Sequence, residues 1–361
     1  MRSRSERLPA LLLGTALLAG VLGVGTLASA TTGTGGDAPA SAPAARSGHT
    51  MAVSTQASGD DPDGDGCIPA VPQVTGVTPS TASPPPRYFH EFQANRSVTH
   101  TAPDDPVVHP GQPGKSHGHT LMGDTTNAGS TTASPEGGAT TCKVPADASA
   151  YWTPSLFKGD QKILPVGAQT ISHKSGVTDY TSVRPFPKGL RFVVGDPMQS
   201  ADGFRRHPGF VEGWECGDSY FNTDFPASRP SRADVQLDIR FQAPSCWDGK
   251  YLDTPDHQSH TAYPVVKPGT NDTMCPADHP VALPMIEFKM AFPVNGDMSR
   301  VHLASGTGHS FHYDFFNAWD DATLKALVGH CVVGGLQCDA RGYDQTHPEA
   351  GAALNADYRL P

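Results

Sequence analysis

Glycine and proline are spread along this whole chain, and together they limit the length of any regular helix. They account for 38 and 34 of its 361 residues. Proline lacks the backbone N–H that a helix interior requires, and its ring clashes with the preceding turn. A chain of this composition is expected to form short strands joined by many turns, so its fold class should be mainly β.

Apolar periodicity locates individual strands and one helix. Apolar residues alternate with polar ones, or fill a short run, in four segments: 189–195, 235–241, 286–292 and 311–315. This pattern places one face of each strand in a core. A helix is predicted at about 319–331, where an apolar stripe follows Asp320 and Asp321. We therefore predict an antiparallel β-sandwich-like single domain with one short helix near the carboxyl-terminal end and long loops.

The first 30 residues have the parts of a secretory signal peptide. Three arginines precede an apolar stretch from Leu8 to Leu27, which ends in the small residues Ala28, Ser29 and Ala30. The stretch is also close to the length that can span a bilayer, so an uncleaved anchor is the alternative. The small-residue exit into a polar segment favours cleavage. We expect a secreted, extracellular protein that is not held at a membrane.

Composition divides the rest of the chain into three parts. Residues 31–86 are rich in small and polar residues and are predicted to be a disordered linker. Residues 87–345 contain the predicted strands and form one globular domain. Residues 346–361 are predicted to be a polar tail.

Within the predicted linker, Asp61, Asp63 and Asp65 resemble the start of a calcium-binding loop. Pro72 stands where such a loop has its bidentate glutamate. A solvated linker is therefore the favoured interpretation of this segment.

The charge of the chain argues against two classes of partner. Its formal net charge is −10 at pH 7, and cleavage of the predicted signal peptide would remove three arginines and one glutamate, which leaves a net charge of −12. Nucleic acids and anionic membranes are bound by clustered Lys and Arg. We predict neither as a partner.

All seven cysteines follow the predicted signal peptide and should pair in an oxidising compartment. No Cys-x-x-Cys occurs, which disfavours a cysteine zinc site. Two pairs flank short segments and a third remains by elimination, so the predicted disulfides are Cys331–Cys338, Cys246–Cys275 and Cys142–Cys216. Cys67, in the predicted linker, is then left free.

Three distant segments carry histidine beside a polar partner. His117 and His119 are separated by one residue, so in an extended segment they point the same way. His312 and Asp314 share a face of a predicted strand in the same manner. We predict that these residues and a third cluster line one open, catalytic cleft, with the members His117, His119, Asp256, His257, His260, His312 and Asp314.

His117, His119 and His312 are the candidate metal ligands. Neutral imidazoles, together with a carboxylate such as Asp314, suit a divalent metal such as zinc or copper. The alternative is that these histidines only fill surface hydrogen bonds, and a His-x-His pattern also arises by chance. The cofactor therefore stays open between none and a divalent metal.

Acid–base catalysis is a second chemistry for the same cluster. A histidine near its working pKa would act with one of four carboxylates, Asp105, Asp248, Asp256 or Asp314. Asp248 lies in Trp-Asp-Gly and is equally typical of a turn. Ser116 matches the Gly-x-Ser-x-Gly pattern, but no strand precedes it and no helix follows, so a serine hydrolase elbow is excluded.

A series of short motifs resembles a known family. In chain order they are 105–106, 110–111, 116–119, 151–156, 186–191, 244–250, 252–260, 275–276, 279–280, 311–315 and 317–320. The chain resembles the domain-of-unknown-function 1996 family of secreted actinobacterial and fungal proteins over most of 88–345. Fungal members are often joined to WSC carbohydrate-binding domains. The resemblance therefore implies a secreted protein associated with glycans, without naming a reaction.

Two classes of function follow. The first is a glycan-directed enzyme that acts on an extracellular or cell-wall polysaccharide through the His/Asp cleft. The second is a non-catalytic carbohydrate-binding or cell-surface module, in which the same groups bind sugar hydroxyls. Trp152 and Trp247 are candidate substrate-binding residues at the rim, although large aromatics more often pack in a core. The concentration of His and Asp favours chemistry, and both classes stay open.

Overall fold

Short strands make up most of the regular structure, as the composition predicts. The computed structural model describes residues 60–61, 63–124, 139–206, 211–215, 224–228 and 230–361. Its strands are β1 (Ile68–Pro69), β2 (Glu91–Arg96), β3 (Val98–Ala102), β4 (His119–Gly123), β5 (Ala150–Pro154), β6 (Leu156–Lys158), β7 (Gln161–Ile163), β8 (Gln169–Ser175), β9 (Arg191–Gly195), β10 (Val211–Glu215), β11 (Leu237–Gln242), β12 (Cys246–Trp247), β13 (Tyr251–Asp253), β14 (Thr261–Ala262), β15 (Val265–Val266), β16 (Thr273–Met274), β17 (Val281–Ala282), β18 (Pro284–Phe292), β19 (Val301–Leu303), β20 (His312–Phe316) and β21 (Gln337–Cys338). The helices are α1 (Ala201–Arg206) and α2 (Asp321–Leu327), with 3-10 turns at Tyr180–Ser182, Gly308–Ser310 and Pro348–Ala350.

Two sheets organise the described part of the chain. The larger has six strands in the order β10-β11-β18-β8-β2-β21, and the second has five in the order β3-β4-β5-β20-β9. Neighbouring strands are antiparallel except for β2 and β21, which are parallel. The predicted mainly β, antiparallel fold class is confirmed.

The main core lies between these two sheets. Leu237, Ile239 and Phe241 occupy alternate positions of β11 and are buried. The ring centroid of Phe241 lies 4.2 Å from that of Tyr313 on β20, which joins the sheets directly. Each large apolar side chain buried in this way contributes about 1.5–3 kcal/mol to stability.

The four predicted strands and the predicted helix are confirmed. The strands correspond to β9, β11, β18 and β20. The helix is α2, which continues as a π-helical turn over Val328–Val332. Its amino-terminal end is capped because the carboxylate of Asp320 accepts a hydrogen bond from the backbone N–H of Thr323 at 2.9 Å.

The outer face of the five-stranded sheet carries a second, smaller core. Its members are Val107, Leu121, Ala150, Trp152, Val193 and Phe316. Successive residues of a strand point to opposite faces, so Tyr313 and Phe315 face the main core, whereas His312 and Asp314 share the outer face. The segment that precedes β4 covers this face, because Val107 packs on it.

Apolar residues on both sides of the predicted domain also pack into the fold. β1 pairs with β13, and Ile68 and Ala70 belong to the main core. Near the other end of the chain, Leu354 belongs to the same core. These apolar residues are isolated in polar segments of the sequence. Their places in the core depend on contacts with distant segments, which the local pattern does not indicate. Residues 1–59, which include the predicted signal peptide, lie outside the described residues.

Two of the three predicted disulfides are confirmed, Cys246–Cys275 and Cys331–Cys338. The third is wrong, since Cys142 is a free, buried thiol whose Sγ lies 3.3 Å from Oδ2 of Asp147. Cys216, its predicted partner, lies outside the described residues. Cys67 is free, as predicted. Within the described ranges, no helix is long and apolar enough to cross a membrane.

Candidate metal centre

The strand order brings His119 and His312 together. β4 and β20 lie on either side of β5 and are both antiparallel to it, so they run in the same direction. His119 begins β4 and pairs with Pro154, the last residue of β5, and His312 begins β20 at the same end. Their side chains meet above β5, with the two Nε2 atoms 3.4 Å apart.

His117 completes this cluster from the loop before β4. Its Nε2 lies 3.1 Å from Nε2 of His312, and its ring centroid lies 4.3 Å from that of His119. One ring nitrogen from each of the three residues lies within 4.8 Å of the others. We call these three residues the histidine triad.

Hydrogen bonds to the main chain determine the tautomers of two triad rings. Nδ1 of His119 donates to the carbonyl oxygen of Asp104 at 2.9 Å, and Nδ1 of His312 donates to the carbonyl oxygen of Ser310 at 2.8 Å. A carbonyl oxygen only accepts, so the proton of each neutral ring lies on Nδ1 and a lone pair lies on Nε2. Two lone pairs therefore face each other, an arrangement that a cation between them would stabilise.

Burial keeps the triad neutral. His119 and His312 are 0% and 3% exposed, and desolvation, followed by the nearby histidines, lowers the pKa of each to about 3. Desolvation also lowers the pKa of the partly exposed His117, against the attraction of Asp105. Neutral imidazole is the form that binds a metal, so the triad is ready for ligation at neutral pH.

Asp314 lies beside the triad in an apolar part of the sheet. It pairs with Trp152 on one side and Val193 on the other, and it is fully buried. Among the described residues, neither of its carboxyl oxygens has a hydrogen-bond partner. Burial, and then the charge of Asp105, raises the pKa of Asp314 well above its usual range.

Asp105 is the second buried carboxylate at this site. Its Oδ1 accepts hydrogen bonds from the backbone N–H groups of Val107 and Val108, at 3.1 and 2.9 Å. One ligand atom from each of Asp105, His119 and Asp314 lies within 4.8 Å of the other two. The sequence identified Asp105 only as one of four acid–base alternatives, because nothing local indicates that its loop folds over β4 and β20.

In the third predicted cluster, Asp256 and His260 hold their own loop together. The carboxylate of Asp256 accepts from the backbone N–H groups of Gln258 and Ser259, at 3.1 and 2.9 Å. Nε2 of His260 donates to the carbonyl oxygen of Arg191 at 2.8 Å. These bonds fasten the loop along the edge strand β9.

His257 lies at the border between this loop and the carboxylates. Its Nδ1 lies 2.9 Å from Oδ1 of Asp253, and its carbonyl oxygen accepts from the backbone N–H of Val193 on β9 at 2.9 Å. Desolvation opposes its protonation, but the charges of Asp253 and Asp105 raise its pKa. The structure thus brings His117, His119, His312 and Asp314 into one cluster, with His257 beside it.

Trp152 and Trp247, predicted at an open rim, are both buried, at 0% and 1% exposure. Trp152 packs in the second core. Trp247 lies on β12 and donates from Nε1 to the carbonyl oxygen of Tyr251 at 2.6 Å. Neither indole presents a ring face to solvent on which a sugar could stack, because both are covered by neighbouring segments.

The acidic residues that resemble a calcium loop also come together. One carboxylate oxygen from each of Asp61, Asp63 and Asp65 lies within 4.8 Å of the others. Asp61 accepts from the backbone N–H groups of Gly64 and Gly66, whereas Asp63 and Asp65 are exposed. The backbone hydrogen bonds and solvation account for this turn.

Comparison with known proteins places the site within a family domain. A family model described as Domain of unknown function (DUF1996) matches residues 105–319. The match covers more than half of the chain and contains the histidine triad, Asp105 and Asp314. No curated protein and no solved structure matches the chain.

Proposed function

This chain belongs to the DUF1996 family, and we propose that it is a secreted, metal-dependent enzyme that acts on an extracellular glycan. In this proposal the histidine triad binds one divalent transition-metal ion, zinc or copper. The observation that carries the proposal is the convergence of three Nε2 atoms, two of which have their lone pairs set by Nδ1 hydrogen bonds to carbonyl oxygens.

The spacing of the triad fits such an ion. For zinc–nitrogen bonds of about 2.0–2.1 Å, the edge of a coordination tetrahedron is about 3.3 Å long. The separations between Nε2 atoms are 3.1 and 3.4 Å. Imidazole suits zinc and copper, whereas calcium and magnesium prefer oxygen ligands. The carbonyl oxygens of Asp104 and Ser310 orient the ligating rings, as partners behind metal-bound histidines commonly do.

Three histidine ligands leave a coordination position for water or substrate. A zinc ion held in this way lowers the pKa of a bound water and polarises a substrate oxygen. His117 is partly exposed, while His119 and His312 are buried, so we place the access route on the side of His117. Because burial keeps His119 and His312 neutral, protons do not compete with the ion for their Nε2 atoms at neutral pH.

The location and the substrate class have separate support. Secretion is supported by the predicted signal peptide and by two disulfides, which persist in oxidising compartments. The glycan substrate is supported by the resemblance to proteins that are joined to carbohydrate-binding domains. A non-catalytic sugar-binding module is less well supported, because Trp152 and Trp247 are buried and cannot form a stacking platform.

Metal analysis tests the ligand set. Protein purified without chelators should contain about one zinc or copper ion per chain, and His119→Ala and His312→Ala should lose it. His302→Ala is the matched control, since His302 is exposed and its ring stacks on Phe157. A wild-type protein that binds neither ion in dialysis and titration would contradict the metal centre.

A glycan panel tests the catalytic role. The metal-loaded wild type should release new sugar ends from a cell-wall or extracellular polysaccharide, and His312→Ala should abolish this release while retaining glycan binding. Ligands of a catalytic ion act mainly on the transition state, whereas sugar affinity comes from many distributed contacts. Binding without product from any polysaccharide, by a protein that holds its metal, would favour the non-catalytic alternative.

A further inference from the structure

Asp314 is buried without a hydrogen-bond donor among the described residues. It is fully buried, and neither carboxyl oxygen accepts a hydrogen bond from any described residue. Buried carboxylates are normally paired with a cation or held by several donors, because desolvation of an unpaired charge is strongly unfavourable. The rings of His119 and His312 cannot serve, since their Nδ1 protons are used on carbonyl oxygens.

A second carboxylate beside Asp314 increases the electrostatic cost of ionising it. Oxygens of Asp105 and Asp314 lie within 4.8 Å of each other and of a ring nitrogen of His119. Asp105 is 4% exposed, so water screens the pair poorly, and an ionised Asp314 would be repelled by the charge of Asp105. We call Asp105 and Asp314 the carboxylate pair. A cation beside the pair would offset this repulsion and would be the partner that Asp314 lacks among the described residues.

We infer that the carboxylate pair is the electrostatic partner of the ion held by the histidine triad, and that it gives the centre its preference for a divalent over a monovalent cation. This inference rests on the proposed metal centre. Three neutral imidazoles and two carboxylates around one divalent ion form a group with no net charge. The same ligands around a monovalent ion would leave one negative charge buried in an apolar surrounding.

The charge of the ion provides a test that separates electrostatics from structural damage. Coulomb energy is proportional to charge, so removal of one carboxylate charge should lower the logarithm of the affinity about twice as much for a divalent ion as for a monovalent one. Copper reports this difference directly, because its reduction potential depends on the ratio of the affinities for Cu²⁺ and Cu⁺. Each tenfold loss of that ratio raises the potential by about 59 mV.

The experiment compares wild-type protein with Asp314→Asn, which keeps the shape of the side chain and removes its charge. Zinc affinity by calorimetry should fall about 10–100-fold, and the midpoint potential of bound copper should rise. The apo variant should unfold at the same urea concentration as the apo wild type, or at a higher one. Asp179→Asn is the matched control, because Asp179 is also buried but accepts hydrogen bonds from Thr181.

Asp105→Asn provides a second variant in case Asp314→Asn folds poorly. Its amide oxygen can still accept from the N–H groups of Val107 and Val108, so the loop should keep its conformation while one charge is lost. It should change zinc affinity and copper potential in the same directions. Wild-type zinc affinity and copper potential in both variants would overturn the inference and leave the triad intact. A wild type that binds neither metal would overturn the metal centre itself.

Discussion

Acidification should destabilise the metal-free protein through the triad itself. The pKa of His119 and of His312 is lowered to about 3 in the folded state, whereas a histidine in the unfolded chain titrates near about 6.5. Between these values the unfolded state binds more protons, so the free energy of unfolding falls as the pH falls below about 6.5. The loss continues until the folded-state pKa is reached.

The expected magnitude is large for a single side chain. Each pH unit below the unfolded pKa is worth about 1.4 kcal/mol per histidine, so each of the two rings should cost about 2 kcal/mol at about pH 5. His312→Gln removes one titrating ring. The difference in unfolding free energy between about pH 7 and about pH 5 should therefore be about 2 kcal/mol smaller in this variant than in the wild type.

Urea unfolding in the presence of a chelator measures this difference at the two pH values. His302→Gln serves as the control, because His302 is exposed and lies outside the triad. If His312→Gln and the wild type lose the same free energy on acidification, the conclusion that burial keeps this ring neutral is refuted.

Three further predictions concern the metal, the disulfides and the core. A hundredfold excess of zinc over its dissociation constant should stabilise the wild type by about 2.7 kcal/mol and His312→Ala by almost nothing, measured by thermal unfolding; equal stabilisation would contradict ligation. Replacing both cysteines of Cys246–Cys275 by serine should cost about 2–4 kcal/mol in urea unfolding, while Cys67→Ser should cost almost nothing. Phe241→Ala should cost about 3–5 kcal/mol in the same assay, since its ring joins the two sheets; a cost under about 1 kcal/mol would refute this.

Local patterns were sufficient to locate four of the 21 strands in the described residues and helix α2. Period-two alternation located β11, β18 and β20, and an apolar stripe behind Asp320 located α2. These signals are local because each depends only on which face of one element is covered. The same reasoning paired His312 with Asp314 on one face of β20. The short sequence separations of Cys246–Cys275 and Cys331–Cys338 also made these disulfides predictable.

The elimination argument for Cys142 failed for a non-local reason. Cys142 lies against Asp147, which forms an ion pair with the fully buried Arg96. Asp147 is close to Cys142 in the sequence, but Arg96 is 46 residues away, so the local pattern does not indicate this polar cluster. Burial raises the pKa of its thiol to about 12, so it persists as an inert thiol.

The sequence alone identified a mainly β chain, four of the 21 strands in the described residues and the histidines of the candidate site. It could not establish that β5 separates β4 from β20, and this strand order is what brings His119 within 3.4 Å of His312. The outer face of the five-stranded sheet is covered by distant segments as well. This covering buries Trp152 and leaves Asp314 without a hydrogen-bond partner among the described residues. Strand order and face covering arise from contacts between distant segments, and these contacts convert scattered histidines and carboxylates into one site.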